Sequence, residues 1–179
     1  MKIILIGIQG SGKSTQGNLL SQKFSVPYLS TGDIFRTIAK EETSEGNYIK
    51  ETMNAGNLIP DDKVLQIISD YLSRPEYENG YILDGFPRTF TQAEAFKSEI
   101  DKVIYLKVSD EEARNRISKR VALREDETPE AITRRIELFH TLTEPVLDYY
   151  RSKGILLDVD GEQTIEEIFK EILFKLEKN

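Results

Sequence analysis

The sequence predicts an α/β protein with a three-layer α/β/α architecture, in which a five-stranded parallel sheet lies between two layers of helices. Apolar runs of strand length alternate with segments of helical periodicity along the 179 residues. Helix start signals follow these runs, and a glycine-rich turn joins the first run to the first helix. Because strands that alternate with helices pair in parallel, we expect helices on both faces of the sheet.

The strands are predicted from short apolar runs at residues 2–6, 27–29, 81–84, 102–108 and 154–159. Capping boxes are predicted at Ser109 with Glu112 and at Thr164 with Glu167, and Thr128-Pro129 is typical of a cap followed by proline. Ligands of parallel sheets bind at the carboxyl ends of the strands. We therefore expect Gly7 and Asp84, which follow or end two strands, to share one edge of the sheet.

The chain reads as a single domain, residues 1–179, with no internal repeat or linker. Residues 30–75 have helical periodicity and no convincing strand, so they form a helical excursion from the sheet, with Gly46 and Gly56 as candidate hinges or caps. Such an excursion is a candidate mobile lid, although a static helical pair explains the pattern equally well.

The composition limits the function classes. The absence of cysteine excludes disulfides, a thiol nucleophile and a cysteine zinc site, and it fits a reducing compartment, so we expect a cytoplasmic protein. We expect no membrane span and no cleaved signal, because the apolar runs are short and the first leads directly into the glycine-rich turn. The net charge of −7 argues against nucleic-acid partners.

The glycine-rich turn from Gly7 to Ser14 has the pattern G-x-x-x-x-G-K-[ST] of a phosphate-binding loop. The glycines allow successive backbone N–H groups to point inward, and the helix that starts near Lys13 adds its positive dipole end. The Lys13 ammonium can reach the outer phosphates of the ligand. Because motif and context agree, the sequence predicts binding of a nucleoside triphosphate rather than a structural turn.

Two further features surround this loop. Asp84 ends an apolar run, where a carboxylate holds Mg²⁺, usually through water, and Ser14 is a second candidate ligand. The turn at 85–87 directs Arg88 across the same edge. Six of the ten arginines are Arg114, Arg116, Arg120, Arg124, Arg134 and Arg135. They indicate a local anion site. A solvated helix face is the alternative for some of them, but the choice of arginine over lysine and the i, i+4 spacing of Arg116 and Arg120 count against it for the whole set.

Together these motifs resemble the adenylate kinases over essentially the full length. The resemblance lies in residues 7–16, 28–36, 84–89 and 116–126, with Thr143-Glu144-Pro145, Tyr149-Tyr150 and Asp160-Gly161 in the expected places. It implies transfer of the γ-phosphate of Mg-ATP to AMP, which gives two ADP. It also implies an AMP-binding helical region at 30–59, a lid at 120–126 and a monomeric enzyme.

The resemblance also implies roles for individual residues. For ATP it implies binding by Gly10, Ser11, Gly12, Lys13, Ser14, Thr15, Arg116, Arg120 and the backbone of Gln163. For AMP it implies binding by Thr31, Arg36, Asn57, Leu58, Ile59, Gly85, Phe86, Pro87, Arg88, Gln92, Arg124 and Arg135. The implied catalytic residues are Lys13, Arg88, Arg120, Arg124 and Arg135, and Asp126 resembles a lid carboxylate that pairs with the arginines.

The chain departs from the family at several positions. Only residues 121–123 separate Arg120 from Arg124, where long-form relatives insert a lid that sometimes binds zinc. The lid is therefore expected to be minimal and without structural zinc. Gln9 stands where proline is common, Ser14 where glycine is common, and Glu127 where a second lid aspartate is expected.

Two other functions stay open from the residues. Kinases of UMP or CMP commonly carry a smaller residue at the position of Thr31 and asparagine at that of Gln92, so this chain favours AMP. A slow ATP-hydrolysing switch would be expected to lack the acceptor-side arginines, which are present.

His140, the one histidine, is assigned a structural or surface role because phosphoryl transfer to a phosphate needs no general base.

Overall fold

The computed structural model describes residues 1–119 and 124–178. Its five strands are β1 (Lys2–Ile6), β2 (Tyr28–Ser30), β3 (Tyr81–Asp84), β4 (Lys102–Lys107) and β5 (Leu156–Asp160). They form one sheet in the order β2-β3-β1-β4-β5, with every pair parallel. The predicted α/β fold is confirmed, and the predicted bounds of β2, β4 and β5 differ from the observed ones by one or two residues at an end.

Nine α-helices are described and surround the sheet. They are α1 (Lys13–Phe24), α2 (Thr31–Ile38), α3 (Ser44–Asn54), α4 (Asp61–Leu72), α5 (Phe90–Ala95), α6 (Asp110–Ser118), α7 (Pro129–Leu138), α8 (Glu144–Ser152) and α9 (Ile165–Lys178). A 3₁₀ turn spans Pro75–Tyr77, and a π-helical turn, Phe139–Thr143, joins α7 to α8.

The core consists of two apolar layers, one on each face of the sheet. Ile3 and Leu5 of β1 belong to the layer that contains Leu20 of α1 and Ile168 of α9. Ile4 and Ile6 belong to the layer formed with α2, α3, α4, α7 and α8. Because β1 is buried on both faces, its sequence is a continuous apolar run rather than an alternating one.

All three predicted helix starts are confirmed, and the capping box is complete at one of the two places where it was predicted. At α9, the Thr164 N–H donates to Glu167 Oε2 at 3.0 Å, and the Glu167 N–H donates to Thr164 Oγ1 at 3.3 Å. Thr128 caps α7, with proline in its first turn.

The capping box at Ser109 is only half right. The Ser109 hydroxyl accepts from the Glu112 N–H, but the Glu112 carboxylate bonds to Arg116 instead of returning to Ser109. The Ser109 N–H donates to Glu162 Oε1, at 2.8 Å, from the loop after β5. Glu162, which is distant in sequence, therefore accepts the hydrogen bond that a capping box would direct to Glu112.

The region between β2 and β3 is helical, as predicted, and contains α2, α3 and α4; Ser30 ends β2 and is not part of it. Gly56 ends α3 with a φ of 72°, a left-handed conformation that favours glycine. Its N–H donates to Met53 O, and the Asn57 N–H donates to Thr52 O. Gly56 is thus a cap, whereas Gly46 lies in the first turn of α3 and is not one.

None of the helices within residues 1–119 and 124–178 combines the length and the apolar character that crossing a bilayer requires.

His140 joins the starts of two helices at the surface. Its Nδ1 lies 2.9 Å from Glu144 Oε2, and its Nε2 lies 2.9 Å from Asp110 Oδ1. The hydrogen bond to Glu144, followed by that to Asp110, raises the pKa of His140 above its ordinary value of about 6.5. The structural role assigned to His140 agrees with these contacts.

We predict that His140 makes the free energy of unfolding depend on pH near neutrality. A pKa that is raised in the folded state stabilises the protein fully below the unfolded value, near 6.5, and the contribution is lost as pH rises through the folded pKa. Urea denaturation at pH 5.5, 6.5 and 8 should therefore show the wild type losing stability over this range relative to His140→Gln. Parallel pH profiles for the two proteins would contradict the prediction.

Candidate active site

The phosphate-binding loop occupies the turn between β1 and α1. Gly10 and Gly12 have φ values of 91° and 93°, which non-glycine residues rarely adopt. A Cβ on Gly10 would lie 2.6 Å from the carbonyl oxygen of Ala113 in α6, so this position also requires glycine for space. Among the described residues no side chain caps α1, so its first N–H groups face the site where an anionic ligand would bind.

Lys13 lies folded over this loop. Its Nζ donates to the carbonyl oxygen of Gly7 at 2.7 Å and to that of Ile8 at 3.0 Å. The ammonium is therefore held at the centre of the turn, next to the N–H groups that would surround a phosphate.

Asp84 lies beside the loop because of the strand register. It pairs with Leu5 of β1 on one side and with Ser30 of β2 on the other. The Tyr28 hydroxyl donates to Asp84 Oδ2 at 2.6 Å. Burial, followed by the nearby Asp84 charge, raises the pKa of Tyr28, so the phenol keeps the proton that it donates. The structure thus brings Gly7 and Asp84 to one edge of the sheet, as predicted.

Arg88 follows β3 and is held by its own turn. Its Nε donates to Gly85 O at 2.8 Å, and its carbonyl oxygen accepts from the Thr143 hydroxyl at 2.8 Å. Within the described residues its terminal nitrogens make no hydrogen bond. Burial lowers the pKa of Arg88 and the nearby Arg135 lowers it further, whereas Asp84 raises it; an arginine nevertheless stays charged. A cation is therefore aimed at the cavity with its outer donors unused.

Two buried carboxylates hold the other arginines. Asp126 Oδ2 lies 2.6 Å from Arg135 NH2 and 3.7 Å from Arg36 NH1. Glu127 Oε1 lies 3.8 Å from Arg124 NH1. The carboxylate side chains are 7% and 0% exposed, so these pairs are screened little by solvent.

Gln9 connects the phosphate-binding loop to the same group. Its Nε2 donates to Glu127 Oε1 at 2.8 Å, and its Oε1 accepts from Arg135 NH1 at 3.3 Å. Gln9, which stands where proline is common, thus links the loop to α7 by hydrogen bonds.

Most of these residues, although not Tyr28 or Glu127, line one cavity of about 160 Å³. It contains all twelve residues predicted for the acceptor nucleotide: Thr31, Arg36, Asn57, Leu58, Ile59, Gly85, Phe86, Pro87, Arg88, Gln92, Arg124 and Arg135. It also contains Gly10, Gly12, Lys13 and Ser14 of the loop, together with Asp84.

Four residues predicted for the donor nucleotide do not line this cavity. Ser11 is buried beneath the loop, and Thr15 is exposed on α1. The Arg116 Nε donates to Glu112, although its NH1 lies only 4.0 Å from the ideal Cβ position on Gly12. The Gln163 side chain donates to Glu171 Oε2. Arg120 lies outside the described residues.

Three hydrogen bonds of the site were not predicted. One runs from the Tyr28 hydroxyl to Asp84, and the other two join the Gln92 side chain to Asp61 and to the Arg88 N–H. The signal for Tyr28 is indirect, because Gly17 provides the space for its ring; a Cβ there would lie 2.4 Å from Tyr28 Cε2. For Gln92, the spacing Thr89-x-x-Gln92 is that of a capping box and could have been recognised. Nothing in the sequence identifies Asp61 as its neighbour.

Comparison with known proteins gives consistent results. The family model for adenylate kinase matches residues 5–155. The adenylate kinase of Caldicellulosiruptor bescii is 38% identical over 209 aligned positions, which cover 97% of each chain. That of Archaeoglobus fulgidus is 37% identical over 214 positions, which cover 99% of each chain. Because these alignments are longer than the 179 residues of this chain, both relatives contain residues that it lacks.

We predict that Asp126→Asn lowers the free energy of unfolding by about 3 kcal/mol, because the variant leaves the buried guanidinium of Arg135 without its counter-charge, whereas Arg36 keeps Asp33 at 2.6 Å. Asp148→Asn is the matched control: Asp148 also pairs with an arginine, but its side chain is 82% exposed. For an exposed pair we expect a change below about 1 kcal/mol. Urea denaturation at neutral pH measures both values, and equal losses in the two variants would contradict the prediction.

Proposed function

The chain belongs to the adenylate kinase family, and from this premise we propose that it transfers the γ-phosphate of Mg-ATP to AMP, reversibly, to give two ADP. The observation that carries the proposal is the single cavity that joins the phosphate-binding loop to four arginines and an amide-bearing pocket. Phosphoryl transfer between two anions requires positioning and charge neutralisation, which this set of groups supplies.

On the donor side, the ATP phosphates would accept hydrogen bonds from the backbone of the loop, Gly10 to Thr15, and from Lys13. Arg116, near Gly12, and Arg120, outside the described residues, would cover the ATP phosphates and adenine. The backbone at Gln163, just beyond β5, would contact the edge of the adenine.

On the acceptor side, the AMP phosphate would be bound by Arg36 and Arg88, with Arg124 and Arg135 reaching the transferred phosphate from the other wall. Thr31, Gln92 and the backbone at 57–59 would surround the base. The alternative acceptors UMP and CMP are disfavoured by Thr31 and Gln92, and the relatives named above are all adenylate kinases.

The reaction would proceed by in-line attack of an AMP phosphate oxygen on the γ-phosphorus of ATP, with ADP as leaving group. A phosphate monoester is already anionic near neutral pH, since its second pKa is about 6, so no side chain needs to remove a proton. The four arginines and Lys13 would offset the negative charge that accumulates when the two nucleotides meet, and closure over both would exclude water.

Mg²⁺ is the implied cofactor, and the residues at the site fit it. Within the described residues there is no cluster of three or more His, Cys, Asp or Glu side chains that could hold a metal. Such a sparse set suits Mg²⁺, which binds through one or two protein oxygens, substrate phosphates and water. Asp84, through water, and Ser14 would hold it, and the ion would neutralise charge on the ATP phosphates.

The proposal extends to the organisation of the chain. Residues 1–179 would act as one domain, in which 30–59 bind the mononucleotide and 120–126 form a minimal lid without zinc. We propose further that the enzyme is a cytoplasmic monomer.

We predict that Arg88→Ala lowers kcat/KM for AMP by about 10³-fold, because well-placed arginines contribute 10³–10⁵ to such transfers. ADP formation is followed by nucleotide chromatography with Mg-ATP and AMP, and KM for ATP should change little. Arg74→Ala is the control, since Arg74 stacks on Tyr71 and does not line the cavity. ADP formation that is independent of AMP in the wild type would identify a hydrolase instead.

We predict that Tyr28→Phe raises the Mg²⁺ concentration needed for half-maximal rate by several-fold, because Asp84 loses the donor that orients its carboxylate. Mg²⁺ titration of the rate at fixed ATP and AMP measures the effect. Tyr81→Phe is the control. It removes a tyrosine hydroxyl that bonds to Ser98 at the end of β3 opposite Asp84, so the titration should be unchanged. Identical titrations for Tyr28→Phe and the wild type would show that the hydroxyl does not position Asp84.

A further inference from the structure

The side-chain amide of Gln92 is held at both ends by the protein. Its Nε2 donates to Asp61 Oδ1 at 2.8 Å, and its Oε1 accepts from the backbone N–H of Arg88 at 2.8 Å. The residue is 1% exposed, yet it lines the cavity, whereas Asp61 does not line it. Asp61 therefore acts on the cavity only through Gln92.

Neither partner can exchange its role with the other. A backbone N–H only donates, and an ionised carboxylate only accepts. If the amide turned over, its NH₂ would face the Arg88 N–H and its oxygen would face the Asp61 carboxylate. Both hydrogen bonds would be lost and replaced by repulsion, so these two partners fix the orientation of the amide.

Two helix starts produce this arrangement. Thr89 caps α5 by accepting from the Gln92 N–H, and the Gln92 side chain returns past it to Arg88. Asp61 is the first residue of α4, on the other side of the amide. The clamp on Gln92 is thus built into the ends of two helices and does not depend on a bound ligand.

The amide has a second N–H and a second lone pair, which the clamp leaves free. These two groups meet a ligand in a fixed order. Adenine and cytosine place a ring nitrogen that accepts beside an amino group that donates. Hypoxanthine and uracil place a ring N–H beside a carbonyl oxygen, which is the reverse order. A freely turning amide would bind both kinds of base, but a clamped one binds only one.

We propose that Asp61 is a specificity-determining positioning residue that makes the acceptor pocket select amino-substituted bases and reject their oxo counterparts. The inference rests on the proposed transfer to a nucleoside monophosphate and deepens it. AMP is selected over IMP by the order of hydrogen-bonding groups, since the two nucleotides have almost the same shape. The same clamp places CMP above UMP, although both bases are smaller than the adenine that the pocket takes.

The wild-type enzyme provides the first test. With Mg-ATP as donor, kcat/KM is measured for AMP, IMP, CMP and UMP. We expect AMP to exceed IMP by at least about 100-fold and CMP to exceed UMP by about tenfold. Each comparison is between two purines or between two pyrimidines, so the size of the base does not affect the ratio.

The second test changes the clamp. Asp61→Asn replaces the carboxylate by a group that can donate as well as accept, so the AMP to IMP ratio should fall by about tenfold, which corresponds to about 1.4 kcal/mol. Asp62→Asn is the matched control, because it removes the same charge from the same turn of α4 and the Asp62 side chain has no hydrogen bond to Gln92. Its ratio should stay within about twofold of the wild type.

The outcomes separate the two proposals. A wild type that forms no ADP in response to any monophosphate overturns the proposed function, and this inference with it. AMP-dependent transfer with equal use of CMP and UMP overturns the inference alone, as does an unchanged AMP to IMP ratio in an Asp61→Asn protein with the wild-type melting temperature. If Asp61→Asn does not fold, equal use of CMP and UMP by the wild type still overturns the inference.

Discussion

The structure depends on gathering positive charge in one partly buried cavity of an acidic protein. Arg36, Arg88, Arg124 and Arg135 line the same space, and their mutual repulsion would oppose folding if nothing offset it. Asp126 and Glu127 supply the offset: their buried carboxylates pair with Arg135 and Arg124, and Asp126 also lies near Arg36, whose closer partner is Asp33. The site is consequently preorganised for anions, because the cations are already held close together by these carboxylates without a ligand.

The parallel sheet brings these groups from distant parts of the chain to one edge. Arg36 lies on α2 directly after β2, Arg88 follows β3, and Lys13 follows β1. The register that sets Asp84 between Leu5 and Ser30 places the magnesium candidate between the two nucleotide sides. The direction and register of three adjacent strands therefore decide which residues can meet, and the helices on either face keep that edge open.

Features that depend on local chemistry could be predicted from the sequence. The β1 run, the phosphate-binding loop, the proline-started helix and the Thr164 capping box are examples, because each is specified within a few residues. Contacts between distant residues could not. Glu162 replaces Glu112 at Ser109, Tyr28 bonds to Asp84, and Gln9 bonds to Glu127 across 118 positions. Such pairs follow from the packing of whole elements, which periodicity does not encode.

The internal partners of the cations also explain how the site can respond to substrate. The Lys13 ammonium donates to carbonyl oxygens of its own loop, and Arg135 donates to Asp126 and to the carbonyl oxygen of Met53. These oxygens occupy the donors that the proposed phosphates would use, so binding of the proposed substrates would exchange one set of acceptors for another. Arg88 differs, because its terminal nitrogens are unused among the described residues. It can therefore bind an anion without releasing an internal partner, whereas three N–H groups of Arg135 already have partners in the phosphate-binding loop, in α3 and in the loop before α7.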